Sequence, residues 1–93
     1  MSQPTITVLY FAAASTATGL TSQAVLLPPT NASQEFRLSS LGDLLTSLHP
    51  NRGLDKILRS SQWSVDAEMV DDPREVVLKG GEEVAVICPV SGG

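Results

Sequence analysis

The sequence closes in CPVSGG, and the carboxylate of Gly93 is the group most open to chemistry. Ionised near neutral pH, a carboxylate resists nucleophiles. Joined to AMP as an acyl-adenylate it gains a good leaving group, and a sulfur nucleophile then leaves a thiocarboxylate in its place. Gly92 and Gly93 lack a Cβ, so such an end approaches another surface closely and threads a narrow channel. The same glycines also suit a frayed terminus that does no chemistry. From Pro89 to Gly93 an extended segment reaches about 16 Å at ~3.3 Å per residue, long enough to enter another protein's cleft.

The remaining reactive side chains point elsewhere. Cys88 closes an apolar stretch and has no basic neighbour to lower its pKa, so it reads as buried and inert and not as a nucleophile. His49, the one histidine, sits where a helix should end and reads as a capping or solvated group. The acidic pairs Asp71–Asp72 and Glu82–Glu83 flank turn residues and read as solvated charge, not as metal ligands. The glycines of KGGE lack the strand-to-helix setting of a nucleotide loop, and no phosphate loop, HExxH, CxxC or spaced His/Cys cluster occurs. No metal site and no resident cofactor are expected, and an independent active site is poorly supported.

Composition narrows the classes further. The 93 residues make one domain, 42% apolar and 17% charged, which is a globular balance. A net charge of −4, with six scattered Lys and Arg, leaves no footprint for nucleic acid or anionic membrane. No apolar run reaches the roughly 18 residues of a membrane span. A single cysteine fits a reducing compartment, so the cytoplasm is the expected location.

The elements that would carry the terminus follow from pattern. TITVLYF (5–11) reads as a strand, AAASTATGLTSQ (12–23) as a loop with a helical turn possible, and AVLLPP (24–29) as a second strand closing a hairpin. TNASQ reads as a turn or insertion. In LSSLGDLLTSLHP, Ser40 and Asp43 stand at capping-box spacing, Leu41, Leu44, Leu45 and Leu48 form one stripe, and Pro50 ends the helix. A shorter helix is expected over LDKILRSS (54–61). WSVDAEMV (63–70) alternates as one strand, EVVL (75–78) as a short edge strand, KGGE as a tight turn and EVAVIC (83–88) as a buried strand. The sum is a mixed sheet with a helix across one face and the last strand central, releasing the chain after Cys88.

With ITVLYFA, LGDLLTSL and LKGGEEVAVICPVSGG in place, the chain resembles the small, sulfur-carrier subunits of molybdopterin synthase. The closing residues Pro89, Val90, Ser91, Gly92 and Gly93 match that family's tail after EEVA, although Cys88 stands where the tail's first proline is usual and Pro28–Glu35 is longer than in compact members. The resemblance implies an α+β, ubiquitin-like β-grasp fold: about five strands, one main and one short helix, a single domain over 1–93, and 89–93 as its extended functional tail. It also implies a cycle. A ubiquitin-activating-type enzyme would adenylate Gly93 with Mg-ATP, and a sulfurtransferase step would convert the glycyl adenylate to 1-thioglycine. The tail, with Pro89, Val90, Ser91 and Gly92 lining the docking channel, would then enter the large subunit of a two-plus-two heterotetramer and give sulfur to a cyclic pyranopterin. An apolar patch on the sheet would make the remaining contact. A carrier for thiamine or tRNA thiolation, a ubiquitin-like modifier, and a β-grasp interaction module without chemistry are the other readings.

Overall fold

A run of β-branched and aromatic residues with period-two burial makes Thr5–Tyr10 the first strand, β1, with Ile6, Val8 and Tyr10 turned inward. The computed structural model describes residues 4–27 and 35–88. In it, β1 is followed by α1 (Ala13–Thr18), β2 (Ser22–Leu26), α2 (Leu38–Leu48), α3 (Leu54–Arg59), β3 (Gln62–Val65), β4 (Glu68–Val70), a 3₁₀ turn (Pro73–Glu75) and β5 (Glu83–Ile87). The strands form one sheet in the order β2-β1-β5-β3-β4. β5 is parallel to β1 and antiparallel to β3, so the sheet is mixed and its last strand is paired on both sides. Leu38, Leu41 and Leu45 of α2 are fully buried in the core formed with one sheet face; Leu44 is half-buried and Leu48 exposed.

Four local expectations are corrected. The first connection is not a loop: α1 forms there, closed by Gly19 in the left-handed region (φ 74°) and by Thr18 Oγ1 donating to the Ala14 carbonyl at 2.9 Å. A six-residue helix is too short to stand alone, and burial of Ala14 and Thr18 holds it.

α2 starts at Leu38, two residues before the Ser40 cap read from the sequence, and Arg37 at the N-cap supplies no side-chain bond. Backbone does this work: the Leu38 N–H donates to the Val76 carbonyl and the Leu78 N–H to the Phe36 carbonyl, both at 2.8 Å. The same contacts explain why residues 75–78 form no edge strand. Pro73–Glu75 coil into the 3₁₀ turn and Val77 makes only an isolated bridge to Arg37.

The stretch 63–70 is two strands. Asp66 (φ 51°) and Ala67 (φ 69°) are both left-handed, the geometry of a two-residue hairpin turn. Asp66 is held from both ends, its N–H donating to the Glu83 carbonyl at 2.8 Å and its Oδ1 accepting the Glu83 N–H at 3.0 Å. The fold back pairs Trp63 with Val70, so Val70 takes the core-facing place that unbroken alternation would give Met69.

Gly80 (φ 124°) and Gly81 (φ 87°) form the expected turn into β5. Glu82 accepts the Lys79 and Gly80 N–H groups at 2.8 and 2.7 Å, and the Gly81 N–H donates to the Thr5 carbonyl at 2.7 Å. Among the described residues no helix is long and apolar enough to cross a membrane.

Candidate functional site

β5 fixes the position of Cys88, the last described residue. Flanked by β1 and β3, it carries Val84 and Val86 into the core and Glu83, Ala85 and Ile87 onto the opposite, helix-free face. The register assembles that outer face. Leu9 lies beside Ala85, Ala85 beside Ser64, and Ser64 beside Met69, a row crossing four strands. At its centre the side chains are small, Ala85 and Ser64, and each is 8% exposed or less. Larger apolar groups stand around them: Met69 is 55% exposed and Phe11, at the end of β1, 50%. A flat, small-residue centre with an apolar surround lets another protein's surface come close. Ile87 belongs to this face and adjoins Cys88, so the face extends to the last described residues.

The candidate tail residues Pro89, Val90, Ser91, Gly92 and Gly93 lie outside the described residues, as do positions 28–34 of the segment Pro28–Glu35. Cys88, the last residue before the tail, is buried. Its Sγ donates to the Phe11 carbonyl at 3.4 Å and accepts from Ser61 Oγ at 3.5 Å, tying Cys88 to the ends of β1 and α3. This is a packing role, as the apolar context of the residue suggests.

His49 forms the C-cap of α2. Its Nε2 lies 3.0 Å from Gln23 Oε1, and its ring stands edge-on to Tyr10 with centroids 6.1 Å apart. Gln23 Oε1 also accepts the Tyr10 hydroxyl at 2.7 Å, so His49 must donate from Nε2. Burial pushes Tyr10 up to about 12 and keeps it a donor. This three-residue clip joins β1, β2 and α2. Sequence reading missed it, although β2's alternation, with Val25 inward, already places Gln23 on the inward side.

The acidic pairs have structural employment. Asp72 accepts the Arg74 N–H at 3.0 Å and two guanidinium bonds at 3.1 and 3.2 Å, which hold its carboxyl below the usual range. Asp71 and Glu83 are exposed and Glu82 serves the glycine turn. Among the described residues no group of three His, Cys, Asp or Glu side chains is placed to hold a metal.

No family model matches the chain. Curated proteins do. A molybdopterin synthase sulfur carrier subunit of Mycosarcoma maydis is 44% identical over 92 residues, covering 97% of this chain and 95% of that protein. The human protein of the same name is 34% identical over 89 residues, covering 95% and 93%. This chain belongs to the molybdopterin synthase sulfur carrier subunit family. Solved structures agree on the fold. A small archaeal modifier protein of Methanosarcina acetivorans superposes with a TM-score of 0.74 at 17% identity, covering both chains fully. A chain from the complex of subunits 1 and 2 of the Helicobacter pylori molybdopterin-converting factor gives 0.62 at 18% identity, covering 96% of this chain and 99% of that one. The expected ubiquitin-like β-grasp architecture is therefore present, with one more short helix, α1, than the sequence suggested.

Proposed function

We propose that this protein is the sulfur carrier of molybdopterin synthase in molybdenum cofactor biosynthesis, and that the sulfur rides on Gly93. The Gly93 carboxylate attacks the α-phosphate of ATP on a ubiquitin-activating-type enzyme, forming the acyl-adenylate and releasing pyrophosphate. A sulfurtransferase's persulfide sulfur then attacks the acyl carbon and expels AMP, and a thiol cleaves the resulting acyl disulfide, ending as a disulfide itself and releasing the thiocarboxylate. The chain's own part is presentation. β5, fixed by two neighbours, aims the segment after Cys88; Gly92 gives clearance, and Pro89, Val90 and Ser91 line the channel of the large subunit in a heterotetramer of two large and two small chains.

The outer sheet face supplies the rest of the contact, because it is apolar, small at its centre and continuous with the exit. In the large subunit's active site the thiocarboxylate gives its sulfur to a cyclic pyranopterin precursor, and water returns Gly93 to the carboxylate. The cycle runs in the cytoplasm, where a lone cysteine stays reduced. One observation carries the reading: the 44% identity, over 97% of the chain, to a curated sulfur carrier of this name.

Intact-mass spectrometry after co-expression with an activating enzyme tests it. The expected product shows one oxygen of the Gly93 carboxylate exchanged for sulfur, and a variant with one residue appended after Gly93 stays uncharged. A chain that never acquires sulfur, or an appended variant that still transfers it, overturns the assignment and leaves an interaction module without chemistry. Co-purification with a molybdopterin synthase large subunit separates this role from carriers serving thiamine or tRNA.

A further inference from the structure

No Lys, Arg, Asp or Glu precedes Glu35; all six basic and all ten acidic residues lie from there onward. The uncharged stretch supplies β1, α1 and β2, and the sheet order puts β2 at one edge and β4 at the other. The two edges are unlike. β4 carries Glu68, with Asp66 and Asp71 just beyond its ends, and all three are exposed. Charges so placed keep a sheet edge from pairing with a copy of itself. β2, SQAVL, has no charge, no proline and no bulge against β1, its register running unbroken from Ser22 to Leu26.

The groups that β2 offers follow from its bonds to β1. The Tyr10 N–H donates to the Thr21 carbonyl and the Leu27 N–H to the Pro4 carbonyl, both at 2.9 Å, so the odd positions turn their backbone toward β1. Alternation then turns the N–H and C=O of Ser22, Ala24 and Leu26 to the edge. Among the described residues no strand pairs with β2 on that side, and these three residues are exposed, Leu26 by 58%.

Symmetry and charge select the occupant. A two-fold axis at Ala24 sets that residue against Ala24 of a second copy and Ser22 against the second copy's Leu26, each opposed pair exchanging two N–H···O=C bonds. Leu20 shares the parity of Ser22 and is also exposed, so it meets the second copy's Leu26 diagonally, within reach of long side chains. Copies of a chain with net charge −4 repel one another. Approach through β2 weakens that repulsion. The nearest charged strand residue, Glu83 on β5, stands two strand spacings away and the β4 edge four, about 10 and 19 Å, both beyond the screening length of about 8 Å.

We propose that two copies of this chain pair antiparallel through β2, joining their five-stranded sheets into one continuous sheet. The contact is five residues a side against roughly 20–30 in a standard interface, so the dimer is weak and reversible. It leaves Ala85, Ser64 and Met69 of the outer face uncovered, and it rests neither on the sulfur chemistry of Gly93 nor on the large-subunit contact.

Sedimentation equilibrium of the full chain from about 20 µM to about 1 mM tests the proposal. The expected result is a monomer–dimer equilibrium within that range, with the amide signals of Ser22, Ala24 and Leu26 shifting on concentration more than those of Gln23 and Val25. Ala24→Lys and Ala24→Glu each set like charges opposite one another at the axis and should weaken dimerisation roughly fivefold or more. Their equimolar mixture should restore it, because position 24 then meets the opposite charge; neither misfolding nor a general change of charge reproduces that rescue. Should either variant fail to fold, Leu26→Ser, on an exposed side chain, should weaken dimerisation roughly threefold or more. A chain still monomeric at about 1 mM, dimerisation indifferent to Ala24→Lys, or a mixture no stronger than either variant alone overturns the proposal, the first result leaving the edge to a strand of a different protein.

Discussion

Gly80→Ala should be the most damaging single-methyl addition at any described glycine. The residue sits at φ 124°, and a Cβ built on it would lie 2.8 Å from Pro4 Cβ and 3.3 Å from Pro4 Cα. Backbone strain in that region costs about 1–3 kcal/mol, and forcing atoms into filled space about as much again, so a loss near 3 kcal/mol is expected from two independent causes. For a domain of this size about 4–8 °C of melting temperature goes with each kcal/mol, giving a fall of about 12–24 °C.

Gly81→Ala is the internal control. Its φ is 87° and nothing lies within 4 Å of a Cβ there, so only the backbone cost of about 1–2 kcal/mol applies. Thermal melts by circular dichroism compare the two, and Pro4→Gly in the Gly80→Ala background should restore the steric part alone. Equal losses for Gly80→Ala and Gly81→Ala, or a Gly80→Ala melt within a few degrees of wild type, would refute the idea that close approach of this turn to Pro4 sets the start of the β1–β5 pair.

Other outcomes follow from the same geometry. Met69→Asp, on the outer face and 55% exposed, should leave the melt within about 4 °C, as surface changes do, and weaken large-subunit binding roughly tenfold or more by calorimetry, as loss of an interface anchor does. Cys88→Ala should cost about 1 kcal/mol of packing and preserve sulfur transfer measured by single-turnover assay; complete loss of transfer in a folded variant would show the thiol takes part. For Tyr10, raised to about 12 in the fold against about 10 in the unfolded chain, the unfolded state sheds its proton first. Stability from this group is thus full below pH 10 and declines as pH rises from 10 to 12. Urea melts should show that decline in wild type and a shallower one in Tyr10→Phe.

The elements read correctly from the sequence are those whose signal is local. The β-branched run of β1, the leucine stripe of α2 ended by Pro50, α3, and the apolar β5 each announce themselves within ten residues or so. α1 was missed because six residues hold a helix only through burial of Ala14 and Thr18; the other misreadings share one cause, hydrogen-bond partners distant in sequence. α2 begins at Leu38 because Val76 accepts its N–H, and residues 66–67 turn back because Glu83 grips Asp66. That turn matters most for the site. It exchanges Met69 and Val70 between faces, so the membership of the outer surface could not be read from alternation. The tail's candidates rest on the sequence motif alone and lie outside the described residues. The open edge at β2 was not legible, because a strand becomes marginal only through the order in which all five pair.

The two-sided pairing of β5 also has a mechanical meaning. A pull applied at Cys88 along the strand axis would load a strand bonded to β1 on one side and β3 on the other. Such a load is shared by many rungs acting in shear, whereas a peripheral strand would peel away one rung at a time. Traction there would be resisted by the middle of the sheet, and the body would hold its shape as an anchor.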